Sequence, residues 1–227
     1  MRFARISLTG VEPSTRVSCV AHIPDGVLSA PVLATGVAVT LAGCAIGLKS
    51  LDHDRIPQTA VLSATFFVAS LVHFPVGPTS VHLILNGLVG VALGWAAFPA
   101  ILVALLLQAV LFGFGGLVVL GVNVMNMAAP ALVCHFLFRL AARRDSRRVT
   151  IAAAGAAGAI GVLLTALMVA ASLAFSGKEF IGAAKLTLFA HLPVMAIECV
   201  FTAAVVSLLM RVKPEFLGLR STEAAYA

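Results

Sequence analysis

Charge is scarce in this sequence: Asp, Glu, Lys and Arg make up 11% of 227 residues, while 61% are hydrophobic and the mean hydropathy is +1.09. A soluble domain carries about 25% charged residues. A core this large would lack the polar residues to cover it, which excludes a cytosolic or secreted globular enzyme. Period-two alternation is missing, which excludes a transmembrane barrel, and the apolar content excludes disorder. Helices remain, because a bilayer is crossed only by structures that satisfy their backbone groups internally. Paired cysteines are missing too. Cys19, Cys44, Cys134 and Cys199 lie far apart without CxxC spacing, so buried, inert thiols are expected rather than a disulfide framework or zinc knuckle. There is no GxxxxGK[ST] phosphate loop, no GxSxG and no HExxH, and no internal repeat or inverted pair of halves.

What is present is a series of apolar runs. Seven stretches, 29–50, 57–72, 80–94, 96–112, 118–142, 149–175 and 184–212, read as membrane helices, since a hydrocarbon core of ~30 Å takes about twenty helical residues. Their basic flanks set the orientation. With the N-terminal side outside, the inner loops and tail carry Lys49, Arg55, Arg139, Arg143, Arg144, Arg147, Arg148, Arg211, Lys213 and Arg220. The outer loops hold Lys178 and Lys185, besides Arg2, Arg5 and Arg16 at the start. The expectation is therefore an all-α, multi-pass membrane protein with its N-terminus outside and its C-terminus in the cytoplasm. The fifteen basic residues, against nine acidic ones, act as topology signals and form no nucleic-acid stripe. Small residues at Gly43 and Gly47, at Gly90 and Gly94, and from Ala152 to Gly161 let helices approach closely, within the chain or against a membrane partner.

Residues 1–20 hold no apolar segment of the length a cleavable signal needs. They read as an unusual leader or as sequence upstream of the true start, with Val20 the candidate initiation site. The mature chain then opens Ala21-His22-Ile23-Pro24-Asp25-Gly26. The expected division is a leader or misplaced start over 1–20, an N-terminal metal-binding segment over 21–28, a seven-helix domain over 29–220 and a cytoplasmic tail over 221–227.

Six histidines fall unevenly on this topology. His22 precedes the first span, and His73 and His82 bound the loop between the second and third; all three lie on the outer side. His191 lies in the outer part of the last span, His53 in an inner loop and His135 near the inner end of the fifth span. Imidazoles gathered on one side of a helical membrane protein suit nickel, cobalt, copper or zinc. Read singly, His73 and His53 are solvated loop residues, and His135 and His191 are interhelical hydrogen-bonding residues. A free α-amine followed by histidine changes the chemistry. The amine, the deprotonated amide and the imidazole close fused five- and six-membered chelate rings, and one more imidazole completes a square plane that favours Ni²⁺ or Cu²⁺ and accepts Co²⁺. Glu198 in the last span must face protein, because an ionised carboxylate in lipid costs about 2–4 kcal/mol. Asn123, Asn126 and Gln108 read mainly as glue between helices.

The stretch Ala21-His22-Ile23-Pro24-Asp25-Gly26 resembles the Met-His-Ile-Pro-acid-Gly start of the CbiM/NikM family, the substrate-binding membrane components of energy-coupling-factor cobalt and nickel transporters. The likeness continues through Pro75-Val76-Gly77-Pro78-Thr79-Ser80-Val81-His82, through Gln108 to Gly116, through Leu120 to Met127, and through Phe189-Ala190-His191-Leu192. It implies a seven-span fold whose N-terminal segment is inserted in an outward-facing pocket. It also implies a metal held by Ala21, through its amine, by His22, through amide and imidazole, and by His82; His73, Thr79, Ser80 and Asn126 are outer-shell candidates.

The cargo so implied is Co²⁺ or Ni²⁺. The implied partners are a transmembrane coupling protein, two ATPase subunits that hydrolyse the ATP and, in cobalt systems, a small accessory membrane protein, all in a bacterial inner membrane and without nucleic acid. This sequence has Ala21 where the family has methionine, and it carries twenty residues before it. The competing reading is an intramembrane hydrolase using Ser80 or Thr79 with His82 or His191; no acidic residue is placed in the outer loop to orient such a histidine.

Overall fold

A computed structural model describes residues 22–76, 79–144 and 146–219, without the side chains of residues 74–76 and 79–80. The expectations for residues 1–21, Ala21 among them, and for the tail from 220 lie outside the described residues. Eight helices are present among those described: α1 Ala30–Lys49, α2 Ile56–Ala69, α3 Asn86–Leu93, α4 Ala97–Phe112, α5 Leu120–Ala142, α6 Arg147–Ala174, α7 Ile181–Ala190 and α8 Leu192–Val212. Between α2 and α3 lies an antiparallel hairpin of β1 His73–Val76 and β2 Thr79–His82, in which His73 faces His82 across the register. Pro31, Pro57 and Pro193 stand in the first turns of α1, α2 and α8, where a missing N–H costs nothing.

Two apolar runs divide differently from the sequence reading. Residues 80–85 are not helix: the strand continues to His82, Leu85 takes a left-handed conformation at φ 53°, and helix begins at Asn86. Tertiary pairing of the β-branched Thr79 and Val81 against β1 overrides the hydropathy there. The last run starts at Ile181 and breaks at His191, between α7 and α8. Among the described residues, five segments are long and apolar enough to cross a membrane: Ala30–Lys49, Asn86–Phe112, Leu120–Ala142, Arg147–Ala174 and Lys178–Val212. The third and fourth expected spans fall together in Asn86–Phe112, joined through a tight turn at Gly94–Ala96, and α2 has 14 residues.

The eight residues of α3 are all buried, as expected of a helix that is apolar on every side. Its glycines make this possible: a Cβ on Gly87 would strike the Ala157 carbonyl of α6, and one on Gly90 the Ala131 carbonyl of α5. The small face of α6 is likewise used inside the chain, with Gly155 against Cys199, Gly158 against the Glu198 carbonyl and Gly161 against Gly87. Gln108 and His135 act as the expected glue, and Asn86, not singled out from the sequence, adds a further tie. Gln108 donates to Ser70 Oγ at 2.7 Å, Asn86 donates to Thr165 Oγ1 at 2.7 Å, and His135 pairs with the Gly90 carbonyl at 3.1 Å. Cys44 and Cys134 are buried free thiols, and Cys199 is a half-buried one.

The bundle has two chemically distinct ends. At one, Arg55 donates to the Ala92 carbonyl, Gln58 to Phe216 and Arg139 to Gly218, so the basic ends of α1, α5 and α8 gather together. At the other, the segment after His22 meets the α4–α5 loop and the end of α6, where Ser29 N–H donates to Ser176 Oγ at 3.1 Å.

Candidate metal centre

The N-terminal segment is inserted among the helices by specific backbone bonds. Ile23, 2% exposed, donates its N–H to Asn123 Oδ1 at 3.2 Å and accepts from Asn123 Nδ2 at 3.1 Å. Asp25 Oδ1 accepts the Val119 N–H at 3.0 Å, at the start of α5, where an acid also meets the positive end of the helix dipole. The loop between α4 and α5 makes room for this. Gly115 sits at φ +73° beside Asn123 and His22, and a Cβ on Gly116 would run into the Asp25 carboxylate. Gly26, at φ +86°, turns the chain into α1.

This anchoring places the His22 ring on that of His82, with centroids 4.7 Å apart and planes 22° from parallel. His73 meets His82 edge-on at 5.7 Å. Phe114 closes the wall, stacked on His22 at 6.3 Å and edge-on to His73 at 5.4 Å. His22 and His82 are buried, and the Nε2 atom of each has no hydrogen-bond partner. Leaving such an atom unmade costs ~1–3 kcal/mol, so a ligand is the natural complement of His82 Nε2, whereas a six-membered chelate ring through the His22 amide would take Nδ1 of that ring. His82 Nδ1 lies 2.7 Å from the Leu83 carbonyl. A carbonyl only accepts, so the proton belongs on Nδ1 and the lone pair on Nε2, the arrangement of a metal-binding histidine.

Burial holds both imidazoles neutral. His22 is pushed well below its ordinary value by desolvation, reinforced by His82 and His73. His82 is pushed down to about 4 by desolvation, opposed by its bond to Leu83 and reinforced by His73 and His191. Protons therefore compete weakly with a cation at neutral pH. Among the described residues no three His, Cys, Asp or Glu side chains converge on one point.

The hairpin carrying His82 is pinned from α8. The Glu198 carboxylate accepts the N–H groups of Ile84 and of Leu85, the latter at 2.8 Å. Glu198 thus faces protein as expected, and its partners are backbone.

Of the other candidates, His73 adjoins the pair, and its Nδ1 lies 2.9 Å from the Leu71 carbonyl. It is half-buried beside the site rather than merely solvated. Thr79 and Ser80 pair with Val76 and Pro75 in the hairpin, and their side chains lie outside the description. Asn126 accepts from Ser172 Oγ at 3.3 Å. His53 is exposed, as expected. The sequence reading did not assign Phe114 as the aromatic wall or Asp25 as the clip to α5, and Asn123, read there as glue between helices, instead clamps the Ile23 backbone. Their signal was the run from Phe112 to Gly116 and the Asn123–Asn126 pair, which periodicity alone marks only as loop and helix.

Comparison with known proteins agrees with this architecture. A crystal structure described as that of a transition metal transporter superposes with a TM-score of 0.72 at 30% identity, covering 84% of this chain and 93% of that one. A Haemophilus influenzae protein named for metal transport is 43% identical over 206 residues, 87% of this chain and 97% of that protein. The fused nickel transport protein NikMN of Rhodobacter capsulatus is 35% identical over 90% of this chain and 66% of its own length. The family described as the cobalt uptake substrate-specific transmembrane region, CbiM, matches residues 22–216, and the chain belongs to it.

Proposed function

We propose that this chain is the cargo-binding membrane subunit of an importer for Co²⁺ or Ni²⁺ in a bacterial inner membrane. The observation that carries this is the buried His22–His82 pair, with ring centroids 4.7 Å apart and the lone pair of His82 Nε2 unpartnered. The Asn123 and Asp25 anchors draw the start of the chain to it. In this reading the Ala21 amine, the His22 amide and imidazole and the His82 imidazole supply four nitrogens in one plane. His73 and Phe114 shield the ion. Names given to relatives, nickel transport for one and cobalt transport for another of 32% identity from Sorangium cellulosum, support the choice of cargo.

The energy comes from elsewhere, since no phosphate-binding loop of the GxxxxGK[ST] type occurs in the sequence. The partners that fit are a transmembrane coupling protein and two ATPase subunits, with a small accessory membrane protein in a cobalt system. The basic end of the bundle faces the cytoplasm and the histidine end faces outward. The deciding experiment is calorimetry with Ni²⁺ and Co²⁺ on folded, detergent-purified variants. His22→Ala and His82→Ala should each weaken binding by more than the 10- to 100-fold of an outer-shell loss, and His53→Ala and His135→Ala should leave it unchanged. Wild-type affinity in His82→Ala would place the ion elsewhere.

A further inference from the structure

The two buried imidazoles receive their ion from water, and one further histidine reaches both water and that pair. His22 and His82 are 5% and 0% exposed. His191, at the α7–α8 break, is also buried, with its Nδ1 2.7 Å from the Thr187 carbonyl of its own helix. Among the described histidines at this end of the bundle, His73 alone is only half-buried. It sits directly opposite His82 in the register of the β1–β2 hairpin. Residues so paired stand on one face of the hairpin, with Cβ atoms about 4.5–5.5 Å apart.

The Leu71 carbonyl lies 2.9 Å from His73 Nδ1. As at His82, the carbonyl only accepts, so the proton belongs on Nδ1 and the lone pair on Nε2. Two imidazoles of the same tautomer thus stand side by side, one wetted and one dry, with rings edge-on and centroids 5.7 Å apart. The wall beside them is aromatic. Phe114 meets His73 edge-on at 5.4 Å and stacks on Phe112 at 5.8 Å, and Phe112 tilts against Phe67 at 5.8 Å. These phenyl rings offer an aquated cation no donor atom, whereas His73 offers a nitrogen. Among the described residues no three His, Cys, Asp or Glu side chains converge on one point, so His73 does not share the bound ion with His22 and His82. Its contact with the ion belongs to an earlier stage.

We propose that His73 is an entry ligand, whose Nε2 takes the aquated divalent cation from the outer solution and hands it to His82 Nε2. This rests on the reading of the His22–His82 pair as the cargo site. Each step is a ligand exchange on the ion. A bound water leaves as the His73 lone pair binds, and His73 leaves as the His82 lone pair binds. Neither ring gives up a proton, because each Nε2 already carries its lone pair. A cation that shed its water before meeting a nitrogen would lose its hydration with nothing in return, a large cost in a dry pocket. Exchange at the rim replaces water ligand by ligand instead. A group that serves only the passage lowers one barrier from both sides, so it speeds association and release by the same factor and leaves affinity alone. A residue that secures the bound ion, directly or through a hydrogen bond, changes affinity.

Stopped-flow mixing of Ni²⁺ with the detergent-purified full chain, read through a metal-indicator dye, gives the association and release rates, and calorimetry gives the affinity. His73→Ala should slow both rates about 10-fold or more while its affinity falls by less than the roughly 10-fold that marks an outer-shell loss. His73→Gln fills the same space without an imidazole and should be as slow. Wild-type rates in His73→Gln, or an affinity loss with unchanged association in either variant, would overturn the entry role while leaving the His22–His82 site standing. X-ray absorption on the Ni²⁺-loaded wild type needs no variant: two imidazoles on the ion are expected, and three would make His73 a ligand of the bound state and overturn its passing role. Failure of the wild type to bind Ni²⁺ or Co²⁺ at all would instead remove the cargo site itself.

Discussion

Asn123 grips the backbone of Ile23 from both sides, accepting its N–H at 3.2 Å and donating to its carbonyl at 3.1 Å. One side chain on α5 thus does for an extended segment what a neighbouring strand would do. It fixes the residue after His22 and so the direction of the His22 ring.

Asn123→Ala should therefore leave the bundle folded but free the N-terminal segment. Two buried backbone groups lose their partner, each worth ~1–3 kcal/mol, and the segment can restore them only by moving to water. Calorimetry should show Ni²⁺ affinity reduced about 10- to 100-fold, the range of an outer-shell loss. Asn123→Asp keeps the acceptor for Ile23 N–H but removes the donor to its carbonyl, and it should weaken binding at least as much. Unchanged affinity in Asn123→Ala would show that the helices alone hold His22 in place.

The Glu198 carboxylate fixes the other imidazole by a different route, through the N–H groups of Ile84 and Leu85 just beyond His82. Leu85 lies in the left-handed region at φ 53°, a conformation that non-glycine residues hold only when their surroundings impose it. Glu198→Ala leaves two buried donors unpaired and should lower the melting temperature by about 10 °C, from ~1–3 kcal/mol for each donor. Glu198→Gln keeps an acceptor oxygen and should melt near the wild type and bind metal as tightly. Normal melting with lost metal binding in Glu198→Gln would mean that the negative charge itself serves the ion.

Hydropathy and charge were enough to read the membrane class and all the long helices, because lipid imposes a single requirement on every span. They misplaced residues 80–85, where an apolar run is strand and tight turn. Hydropathy measures transfer from water and is blind to whether a buried segment pairs with itself or with a neighbour. The histidine pair was legible from chelate chemistry and family likeness together. Its supports were not, since the reach of Asn123 to Ile23 spans 100 residues and no local pattern encodes it. Gly115 and Gly116 show the same limit: their composition signals a loop, while their purpose is space for Asn123 and Asp25.

The two ends of the bundle give a prediction for topology. Arg143 and Arg144 follow α5 and Arg147 and Arg148 open α6, and a basic cluster of this kind stays in the cytoplasm. In a protein whose native cysteines have been replaced, Gly77→Cys should react with a membrane-impermeant thiol reagent added outside intact cells, and Ser146→Cys should not. The opposite pattern would invert the orientation and turn the histidine pocket inward.

The chelate also makes a demand on the start of the chain. If the plane includes the α-amine of Ala21, any residue added before it converts that amine to an amide, a far poorer donor whose proton must first be removed. A chain begun as methionine followed by Ala21, with the methionine then cleaved, should bind Ni²⁺ tightly. The same chain with Gly-Ser retained before Ala21 should lose one of four nitrogens and more than the 10- to 100-fold typical of outer-shell changes. Mass spectrometry verifies each terminus and calorimetry reads the affinities. Equal affinity in the two proteins, or recovery of Met1 on active transporter, would remove the amine from the ligand set and leave His22 and His82 to hold the ion with other donors.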